Sequence, residues 1–406
     1  MSRVKTQQEN YPLIADEQGR LPYTRWGNED LPVPANSRPR ILLLIPHLGG
    51  GGAERVTALL ARGLSAEKYE LHLGLITQAQ TGGEVLPASV HLHALGARRV
   101  RTGAFRLLRL VRRRKPDLIL SGMAHLNFLV LLLRPFFPRG TRILVRQNGT
   151  VSSVLASGRL PWFMRLLYRL LYPRADRVIC QTQSMAEDLA RELGVAENRL
   201  AVLPNPVDVV EIRNSIGPNP ASLTGPGPHL LAVGRLSPEK GFDLLLRALA
   251  QLRTQFPGAD LLIAGAGPEE AALKALCRTL GLDPAVRFAG HVARPWPLFP
   301  APTLFVLPSR HEGLPNALLE SAAGGLPIVA LPASGGVAEL LRGQPGVWLA
   351  PEISADALAA SLLAALRVLQ LGERFAHPFV DQFQMALALQ AYESLIDRTL
   401  EKGRKN

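Results

Sequence analysis

The sequence predicts an α/β protein built from two doubly wound halves, each with its own parallel sheet. Short apolar runs alternate with helical stretches along nearly the whole chain. The runs Arg40–Ile45 and Leu230–Val233 each lead into a glycine-containing loop and then into a helical stretch. The proline-rich segment 203–228 separates the two series and is expected to be a linker. Such alternation indicates sheets that are covered by helices on both faces.

The order of the elements follows from these runs. In the first half, the loop Gly49–Gly52 precedes a helical stretch, and the predicted elements after it are Ala53–Leu64, Leu71–Ile76, Leu118–Leu120, Arg142–Val145 and Arg177–Cys180. In the second half, the predicted strands after the first are Leu261–Ala264, Val286–Ala289, Leu304–Leu307 and Ile328–Ala330. The predicted division is a flexible tail at 1–37, domains at 38–208 and 209–380, and a C-terminal helix at 381–406 that packs back toward the first domain.

Composition limits the class of protein. A chain of 406 residues with 47% apolar and 19% charged residues is not mainly disordered. Its two cysteines, Cys180 and Cys277, are far apart, which excludes a disulfide scaffold and a zinc finger and predicts two reduced core thiols. The 46 basic residues exceed the 33 acidic ones, so the net charge is +13. This excess indicates an anionic partner.

Neither a secretory signal nor a membrane-spanning segment is predicted. The first twenty residues contain no apolar stretch of the kind a signal peptide needs. The segment Ile119–Leu133 carries no Asp, Glu, Lys or Arg, but it is shorter than the ~20 residues of a spanning helix. A buried strand followed by a helix fits it better. We therefore expect a cytoplasmic protein that contacts a membrane without crossing it.

The segment His311–Glu320 carries the clearest chemical signal. A turn with Gly313 and Pro315 precedes a helical stretch, so backbone amides at this helix start are free to bind phosphate. Further along the same helix, Glu320 could accept two hydrogen bonds from the hydroxyls of a ribose. The segment Gly234–Gly241 supplies cations at the carboxyl end of a predicted strand, where open α/β sheets bind their ligands. A solvated basic loop is the alternative for that segment taken alone.

Together these two segments resemble the signature of the retaining glycosyltransferases of family four, the glycosyl transferases group 1. The pattern is Gly-Arg-Leu-x-x-x-Lys-Gly at 234–241, followed by Pro-Ser-x-x-Glu-Gly-Leu-Pro-Asn-x-x-x-Glu at 308–320. Asn205-Pro206-x-Asp208 and the glycine loop after the first strand are similar to the family too. The resemblance covers about residues 38–402. It implies the GT-B fold, in which two Rossmann-like domains enclose an active-site cleft.

The resemblance also implies contacts to a donor, a nucleotide diphosphate sugar. Arg235 and Lys240 would hold its diphosphate, Glu312 the hydroxyls of its sugar and Glu320 its ribose. His125 would reach the sugar ring from the first half, and with Glu312, Arg235 and Lys240 it completes the implied catalytic set; a core histidine is the alternative. The other implied donor contacts are Gly234, Gly313, Leu314, Asn316 and the base-binding loop Gly290, His291 and Val292.

The glycine loop after the first strand is expected to face the acceptor or a phosphate. The residues predicted there are Gly50, Gly51, Gly52 and Arg146, with His47, Glu54, Arg55 and Asn148 as further possible acceptor contacts. Glycines at this position are also compatible with a turn that serves only the fold.

Transfer from a nucleotide sugar leaves negative charge on the departing diphosphate, and a catalyst must bind that charge better than the ground state. Fixed cations and a helix start suffice for this, and the chain has no Asp-x-Asp triplet, so neither a metal nor a cofactor is expected. Glu312 and Glu320 could instead be a glycosidase pair. Eight residues of one helix span about 12 Å, which exceeds glycosidase carboxyl separations and favours two binding roles.

Basic residues concentrate in the first half. Residues 98–115 carry nine Lys or Arg and no acid, and 134–177 carry nine arginines and one acid, Asp176. Two amphipathic helices are predicted, one with Phe105, Leu108 and Val111 on one face and one combining Trp162, Phe163 and Tyr168 with Arg165 and Arg169. Such helices are typical of membrane-surface contact. The alternative is that Leu166, Leu167, Leu170 and Leu171 only pack on the sheet. No nucleic-acid-binding module is recognisable.

These observations predict a hexose or N-acetylhexosamine transferase, most simply one that uses a UDP-sugar. The expected acceptor is a lipid-linked saccharide or a polysaccharide at the inner face of a bacterial cytoplasmic membrane. A non-hydrolysing nucleotide-sugar epimerase of the same fold is one alternative, and a non-catalytic protein that binds a nucleotide sugar or an anionic lipid is another.

Overall fold

The computed structural model describes residues 38–49, 51–77, 85–152, 162–216, 227–299, 303–333, 336–370 and 372–404. The predicted tail at 1–37 and Gly50 of the glycine loop lie outside the described residues.

Two parallel sheets form the framework, as the sequence predicts. The strands of the first are β1 (Arg40–Ile45), β2 (Glu70–Leu75), β3 (Val90–Ala94), β4 (Leu118–Ser121), β5 (Arg142–Arg146), β6 (Arg177–Cys180) and β7 (Leu200–Val202). Those of the second are β8 (His229–Val233), β9 (Asp260–Ala264), β10 (Val286–Gly290), β11 (Thr303–Leu307), β12 (Ile328–Ala330) and β13 (Val347–Leu349). The orders are β3-β2-β1-β4-β5-β6-β7 and β10-β9-β8-β11-β12-β13.

In each sheet the strand order reverses next to the first strand. β1 pairs with both β2 and β4, and β8 pairs with both β9 and β11. Open α/β sheets bind ligands beyond the carboxyl ends of the strands at this switch point. The loops after β1, β4, β8 and β11 are therefore where a site is expected.

Twelve α-helices connect the described strands or extend the chain. They are α1 (Gly52–Gly63), α2 (Ala104–Arg114), α3 (Ala124–Leu133), α4 (Trp162–Leu171), α5 (Gln183–Leu193), α6 (Val209–Ser215), α7 (Phe242–Leu252), α8 (Glu270–Thr279), α9 (Asn316–Ala323), α10 (Val337–Leu341), α11 (Ala355–Val368) and α12 (Met385–Arg404). Within the described ranges, none of them has the length and hydropathy that crossing a bilayer requires. The uncharged segment Ile119–Leu133 forms most of β4 and then α3, as predicted.

The predicted linker was wrong in one respect, because α6 (Val209–Ser215) lies inside it. Asp208 caps this helix, since its Oδ1 accepts a hydrogen bond from the amide of Glu211 at 2.9 Å. The prolines of the segment stand before Asp208 or after Ser215. They therefore end the flanking structure without interrupting the helix.

The central strands of both sheets are buried on both faces. Ile41 to Ile45 of β1 are each at most 1% exposed, which is the pattern of a central strand in a parallel sheet. Cys180 and Cys277 are free and buried, as predicted. Burial raises the pKa of the Cys180 thiol to about 12 and that of Cys277 to about 11. Neither thiol therefore ionises near neutral pH, and both act as core side chains.

The chain divides into two compact units. The first unit takes the described residues of Met1–Arg146, Arg174–Arg177 and Glu393–Asn406, and the second takes those of Gln147–Pro173 and Val178–Tyr392. The division at residues 208 and 380 and the cleft between domains stay predictions. Within the first unit, the end of α12 contacts the loop before β2: Lys68 Nζ donates to Glu393 Oε2 at 2.7 Å, and the Tyr69 hydroxyl donates to Asp397 Oδ1 at 2.6 Å.

The basic helices differ from their predicted orientation. In α2 the buried residues are Leu107, Leu110 and Val111, whereas Phe105 is 75% exposed. The predicted face of Phe105, Leu108 and Val111 was therefore wrong, because the helix turns the intervening leucines toward the sheet. In α4, Tyr168 and Leu171 are buried, while Leu166 and Leu170 are exposed. The side chains of Trp162 and Phe163 lie outside the described residues.

Three histidines stack at the edge of the first sheet, where β2 meets β3. The ring of His72 lies 4.9 Å from that of His91 and 5.2 Å from that of His93. His72 Nε2 is 2.9 Å from Glu70 Oε1, and a carboxylate only accepts, so this nitrogen donates. In neutral His72 the other nitrogen then accepts from His93 Nε2 at 2.9 Å. A neutral His72 can therefore make both contacts.

Acidification is expected to destabilise the protein through this cluster. Burial lowers the pKa of His72 to about 4 and that of His93 to about 3, with neighbouring histidines adding to both shifts and Glu70 opposing the first. Between pH 6.5 and 4 the unfolded chain therefore binds more protons than the folded chain, and the free energy of unfolding falls as pH falls, by up to about 1.4 kcal/mol per pH unit for each imidazole.

Urea unfolding across that pH range measures the slope. The variant His93→Gln should show a shallower slope than the parent chain, and the exposed control His291→Gln should not. Equal slopes in all three proteins would contradict the assignment.

Candidate functional site

Lys240 and Glu312 form the centre of the candidate site in the second unit. Lys240 ends a single turn, Pro238–Lys240, after β8, and Glu312 lies in the loop after the neighbouring strand β11. The Lys240 ammonium donates to both carboxylate oxygens of Glu312, at 2.6 and 2.8 Å. The Ser309 hydroxyl also donates to Oε1 of Glu312 at 2.6 Å. Because Glu312 is only 9% exposed, this carboxylate is held by charge and hydrogen bonds rather than by water.

The two loops that carry this pair are locked together by their backbones. The amide of Arg310 donates to the carbonyl of Glu239 at 2.8 Å. A Cβ at Gly241 would lie 2.0 Å from the carbonyl oxygen of Pro308, and its φ is +64°, so only glycine fits there. The Arg310 guanidinium donates to both oxygens of Asp243 at 2.7 Å. Asp243 and Ser309 were not predicted as part of the site, although Ser309 belongs to the signature.

Glu320 is buried on α9 and already has an aromatic partner. The indole Nε1–H of Trp296 donates to its Oε2 at 3.3 Å. Only 6% of Glu320 is exposed. The sequence shows Trp296 as one apolar residue among many, so this orienting contact could not be found before the fold was known.

The turn before α9 is held by two polar side chains from earlier in the chain. The amide of Leu314 donates to Gln181 Oε1 at 2.7 Å. This N–H, which was predicted to hydrogen-bond to phosphate or sugar, therefore already has a partner within the protein. The Asn205 amide group donates to the Leu314 carbonyl at 3.1 Å and to Asn316 Oδ1 at 2.6 Å. A Cβ at Gly313 would lie 2.6 Å from the Asn148 carbonyl oxygen. These contacts fix the start of α9 before any ligand binds.

The other predicted donor contacts follow neighbouring strands of the same sheet. Arg235 follows β8 and is exposed, and His291 is exposed after β10. The amide of Gly265 donates to the carbonyl of Gly290 at 2.7 Å, which ties the loop after β9 to the end of β10. Gly234 and Gly265 approach each other closely: a Cβ on Gly265 would lie 1.8 Å from the carbonyl oxygen of Gly234. Val292 is half-buried. The predicted donor residues thus collect at the carboxyl edge of the second sheet.

A separate cluster of titratable groups lies at the carboxyl edge of the first sheet, in the first unit. His47 follows β1, and its Nδ1 lies 3.8 Å from Oε1 of Glu54, which is buried in the first turn of α1. His125 follows β4 and is exposed, so the alternative of a core histidine was wrong. Partial desolvation lowers the pKa of His125, while the charge of Glu54 opposes that shift and His47 adds to it. These three groups are therefore close enough to act on one another.

The glycine loop and Arg146 lie near this edge as well. Gly51 precedes α1 and Gly52 begins it, and a Cβ on Gly51 would lie 2.3 Å from Oε2 of Glu54. Arg146 ends β5 and is 2% exposed, and its carbonyl accepts from the Asn127 amide group at 3.0 Å. Asn148 Oδ1 accepts from Gln181 Nε2 at 3.3 Å. The acceptor roles of these residues stay predictions. Among the described residues, no group of three or more His, Cys, Asp or Glu is arranged to hold a metal ion.

Comparison with known families gives two matches that follow the two halves of the sequence. Residues 50–211 match the model described as Glycosyltransferase Family 4, and residues 227–367 match the model described as Glycosyl transferases group 1. The second match contains Lys240, Glu312 and Glu320.

Curated relatives share about a quarter of their residues with this chain. The N-acetylgalactosamine-N,N'-diacetylbacillosaminyl-diphospho-undecaprenol 4-alpha-N-acetylgalactosaminyltransferase of Campylobacter jejuni is 28% identical over 73% of this chain and 82% of its own length. The lipopolysaccharide core biosynthesis glycosyltransferase LpsE of Rhizobium meliloti is 28% identical over 86% of this chain and 97% of its own.

Solved structures share the fold. Sucrose-phosphate synthase from Thermosynechococcus elongatus superposes with a TM-score of 0.74 at 18% identity, covering 90% of this chain and 100% of its own. HepE from Anabaena, solved in complex with UDP-glucose, superposes with a TM-score of 0.70 at 19% identity, covering 88% of this chain and 99% of its own. Both matched models, the order of the two signature segments and the pair of parallel sheets lead to one assignment: the chain belongs to family 4 of the glycosyltransferases, the glycosyl transferases group 1, and has the GT-B fold.

Proposed function

We propose that this protein transfers a hexose or an N-acetylhexosamine, with retention of configuration, from a UDP-sugar to a lipid-linked saccharide or polysaccharide acceptor. The observation that carries the donor half is the ion pair of the half-buried Lys240 with the buried Glu312, beside the start of α9. The acceptor half is supported by relatives whose names specify a diphospho-undecaprenol substrate and lipopolysaccharide core synthesis. Synthesis of a bacterial surface polysaccharide, at the inner face of the membrane, is the corresponding process.

Lys240 and Glu312 suit the two ends of the bond that breaks. As the sugar leaves, the diphosphate gains negative charge, and the Lys240 ammonium, the exposed Arg235 and the start of α9 can bind it without a metal ion or cofactor. When the Lys240 ammonium donates a hydrogen bond to phosphate in place of one to Glu312, that oxygen of Glu312 becomes available to accept from a hydroxyl of the sugar. The ion pair therefore keeps both groups charged and placed before the donor arrives.

Glu320 fits the remaining part of the donor. Its carboxylate is oriented by Trp296, and two carboxylate oxygens can accept from the two adjacent hydroxyls of a ribose. A carboxylate beside a ribose distinguishes a nucleotide sugar from a sugar phosphate, which carries no such pair of hydroxyls on its leaving group.

A panel of UDP- and GDP-sugars, screened by thermal shift and then by transfer to lipid-linked saccharides, tests this function. A cognate donor at about 100 times its dissociation constant adds about 2.7 kcal/mol to stability and raises the melting temperature. Transfer that requires an acceptor supports the proposal. Conversion of the donor in the absence of any acceptor would identify an epimerase, and binding without turnover a non-catalytic protein.

We also propose that the first unit contacts an anionic membrane surface. Its exposed apolar side chains include Phe105 on α2, Leu132 on α3 and Phe136 just after α3. Arg112 Nε donates to the Phe136 carbonyl at 3.1 Å, which places the arginine-rich end of α2 next to Phe136. No Asp or Glu occurs from residue 118 to 175, so little negative charge opposes such contact.

In a co-sedimentation assay at low salt, this protein is expected to pellet with phosphatidylglycerol vesicles, and added salt should release it into the supernatant. The triple variant Phe105→Ser, Leu132→Ser, Phe136→Ser should lose most of the binding, because each apolar side chain contributes about 1.5–3 kcal/mol on burial. The matched control, Val210→Ser with Val368→Ser, removes two equally exposed side chains from the second unit. Full retention of the parent protein in the supernatant would remove this part of the proposal.

A further inference from the structure

The end of α12 and the start of β6 enclose a cavity that the proposed reaction does not use. Its volume is about 310 Å³, and it is lined by Arg177, Leu395, Arg398, Glu401 and Lys402. Arg177 is the first residue of β6, so the cavity lies at the amino-terminal edge of the first sheet. The predicted acceptor residues follow the carboxyl ends of strands in this same sheet. The cavity and those residues therefore lie at opposite ends of the strands of the first sheet.

The cavity carries an uncompensated positive charge. Three of its five lining residues are cations and one is a carboxylate. Between described residues, no carboxylate oxygen approaches within 4.0 Å of Arg177, Arg398 or Lys402 to form an ion pair. The cavity thus has two more cations than carboxylates; like charges around one hollow repel one another, and a bound anion relieves that repulsion.

Asp176, the acid next to Arg177 in sequence, forms its ion pairs with two other arginines. Its carboxylate lies 3.0 Å from Arg134 Nη2 and 3.2 Å from Arg142 Nη1. It also accepts from the amide of Ile143 at 2.8 Å. Within the described part of the chain, the Arg177 side chain hydrogen-bonds to the carbonyl of Asp176 alone, to which its Nη1 donates at 2.8 Å. That bond anchors the guanidinium while leaving its charge intact.

A purely structural role accounts for part of this arrangement. Arg398 and Lys402 lie toward the carboxyl end of α12, where cations stabilise the helix dipole. That role requires neither Arg177, which comes from a strand, nor a hollow between the strand and the helix. Two guanidinium groups and an ammonium around one space match the chemistry that binds phosphate.

We propose that this cavity binds a phosphate-bearing anion, either a free phosphate or diphosphate or the headgroup of an anionic phospholipid. Arg177, held by the Asp176 carbonyl, would give the fixed contact. Arg398 and Lys402, one helical turn apart, would close on the ligand from α12. Leu395, which is buried, forms the apolar wall.

Titration calorimetry with inorganic pyrophosphate at constant ionic strength tests the site. All proteins in the test carry Arg235→Ala and Lys240→Ala, so that the proposed donor site does not contribute. In this background pyrophosphate should bind, and adding Arg398→Gln with Lys402→Gln should weaken binding at least about tenfold, because charge-assisted hydrogen bonds contribute ~1.5–3 kcal/mol each. The control, Arg247→Gln with Arg287→Gln, removes two exposed cations from the second unit and should bind like the background.

Vesicles identify the source of the anion. If phosphatidylglycerol vesicles displace pyrophosphate and phosphatidylcholine vesicles do not, the ligand is a lipid headgroup. If neither displaces it, the ligand is a free phosphate compound. Absence of binding in the background protein, or equal binding in both double variants, would overturn the proposal while leaving the proposed transferase activity untouched.

Discussion

Replacing Lys240 with alanine is expected to remove donor binding and sugar transfer together, with a loss in kcat/KM of about 10²–10³-fold or more. The Lys240 ammonium is half-buried in the candidate site, and its contacts to the buried Glu312 carboxylate at 2.6 and 2.8 Å place it beside the proposed position of the diphosphate. Steady-state kinetics and thermal shift with the cognate UDP-sugar measure the two effects. The control is Lys274→Ala, which breaks a solvent-exposed pair with Glu270 on α8.

A second variant separates two effects of Lys240: its proposed binding of the leaving diphosphate, and its neutralisation of the Glu312 charge, which stabilises the fold. Without Lys240, the buried carboxylate of Glu312 would keep, among the described residues, the hydrogen bond from the Ser309 hydroxyl alone, and such a charge destabilises the fold. The double variant Lys240→Ala with Glu312→Gln removes both charges, so it should recover thermal stability and still fail to bind donor. Recovery of transfer in the double variant would refute the role assigned to Lys240.

Placing alanine at Gly265 is expected to destabilise the second half of the protein by about 3–5 kcal/mol, at the upper end of what single substitutions do. The added Cβ would lie 1.8 Å from the carbonyl oxygen of Gly234, and backbone atoms cannot move aside as a flexible side chain can. Urea unfolding at neutral pH measures the free-energy change, and thermal unfolding should show a melting temperature lower by ~6 °C or more.

Two glycine controls isolate the cause. Gly149→Ala adds a Cβ with no atom within 4 Å, so it should change stability little. Gly281→Ala is equally open but has a φ of +66°, so its cost of about 1 kcal/mol reports backbone conformation alone. If Gly265→Ala costs no more than Gly281→Ala, the close approach of the loops after β8 and β9 is not what holds them.

The sequence was sufficient for most of the architecture because the central strands are buried on both faces. Runs such as Arg40–Ile45 and Leu304–Leu307 are continuously apolar, and this pattern does not depend on distant partners. β3 was not predicted, because His91 and His93 interrupt its apolar residues and the reason they are tolerated, stacking on His72, is visible only across strands. The helix Val209–Ser215 was not predicted, because the prolines on both sides of it made the whole segment resemble a linker.

The site was predictable where side chains belong to the signature and unpredictable where they support it. Lys240, Glu312 and Glu320 could be named from spacing alone. That Lys240 pairs with Glu312, 72 positions away, could not be. Gln181 and Trp296 were missed because an isolated glutamine or tryptophan carries no pattern, and their contacts with Leu314 and Glu320 exist only once the chain has folded.

The close backbone contact between Gly241 and Pro308 limits how the donor preference of this enzyme can change in evolution. An insertion in either loop would pull apart the residues proposed to hold the leaving group, so we expect changes of loop length there to be excluded as a route to new donors. Altered sugar preference must instead come from exchanging side chains on a backbone that stays the same. Engineering for another nucleotide sugar should therefore preserve the spacing of the two loops and vary the positions around Glu312.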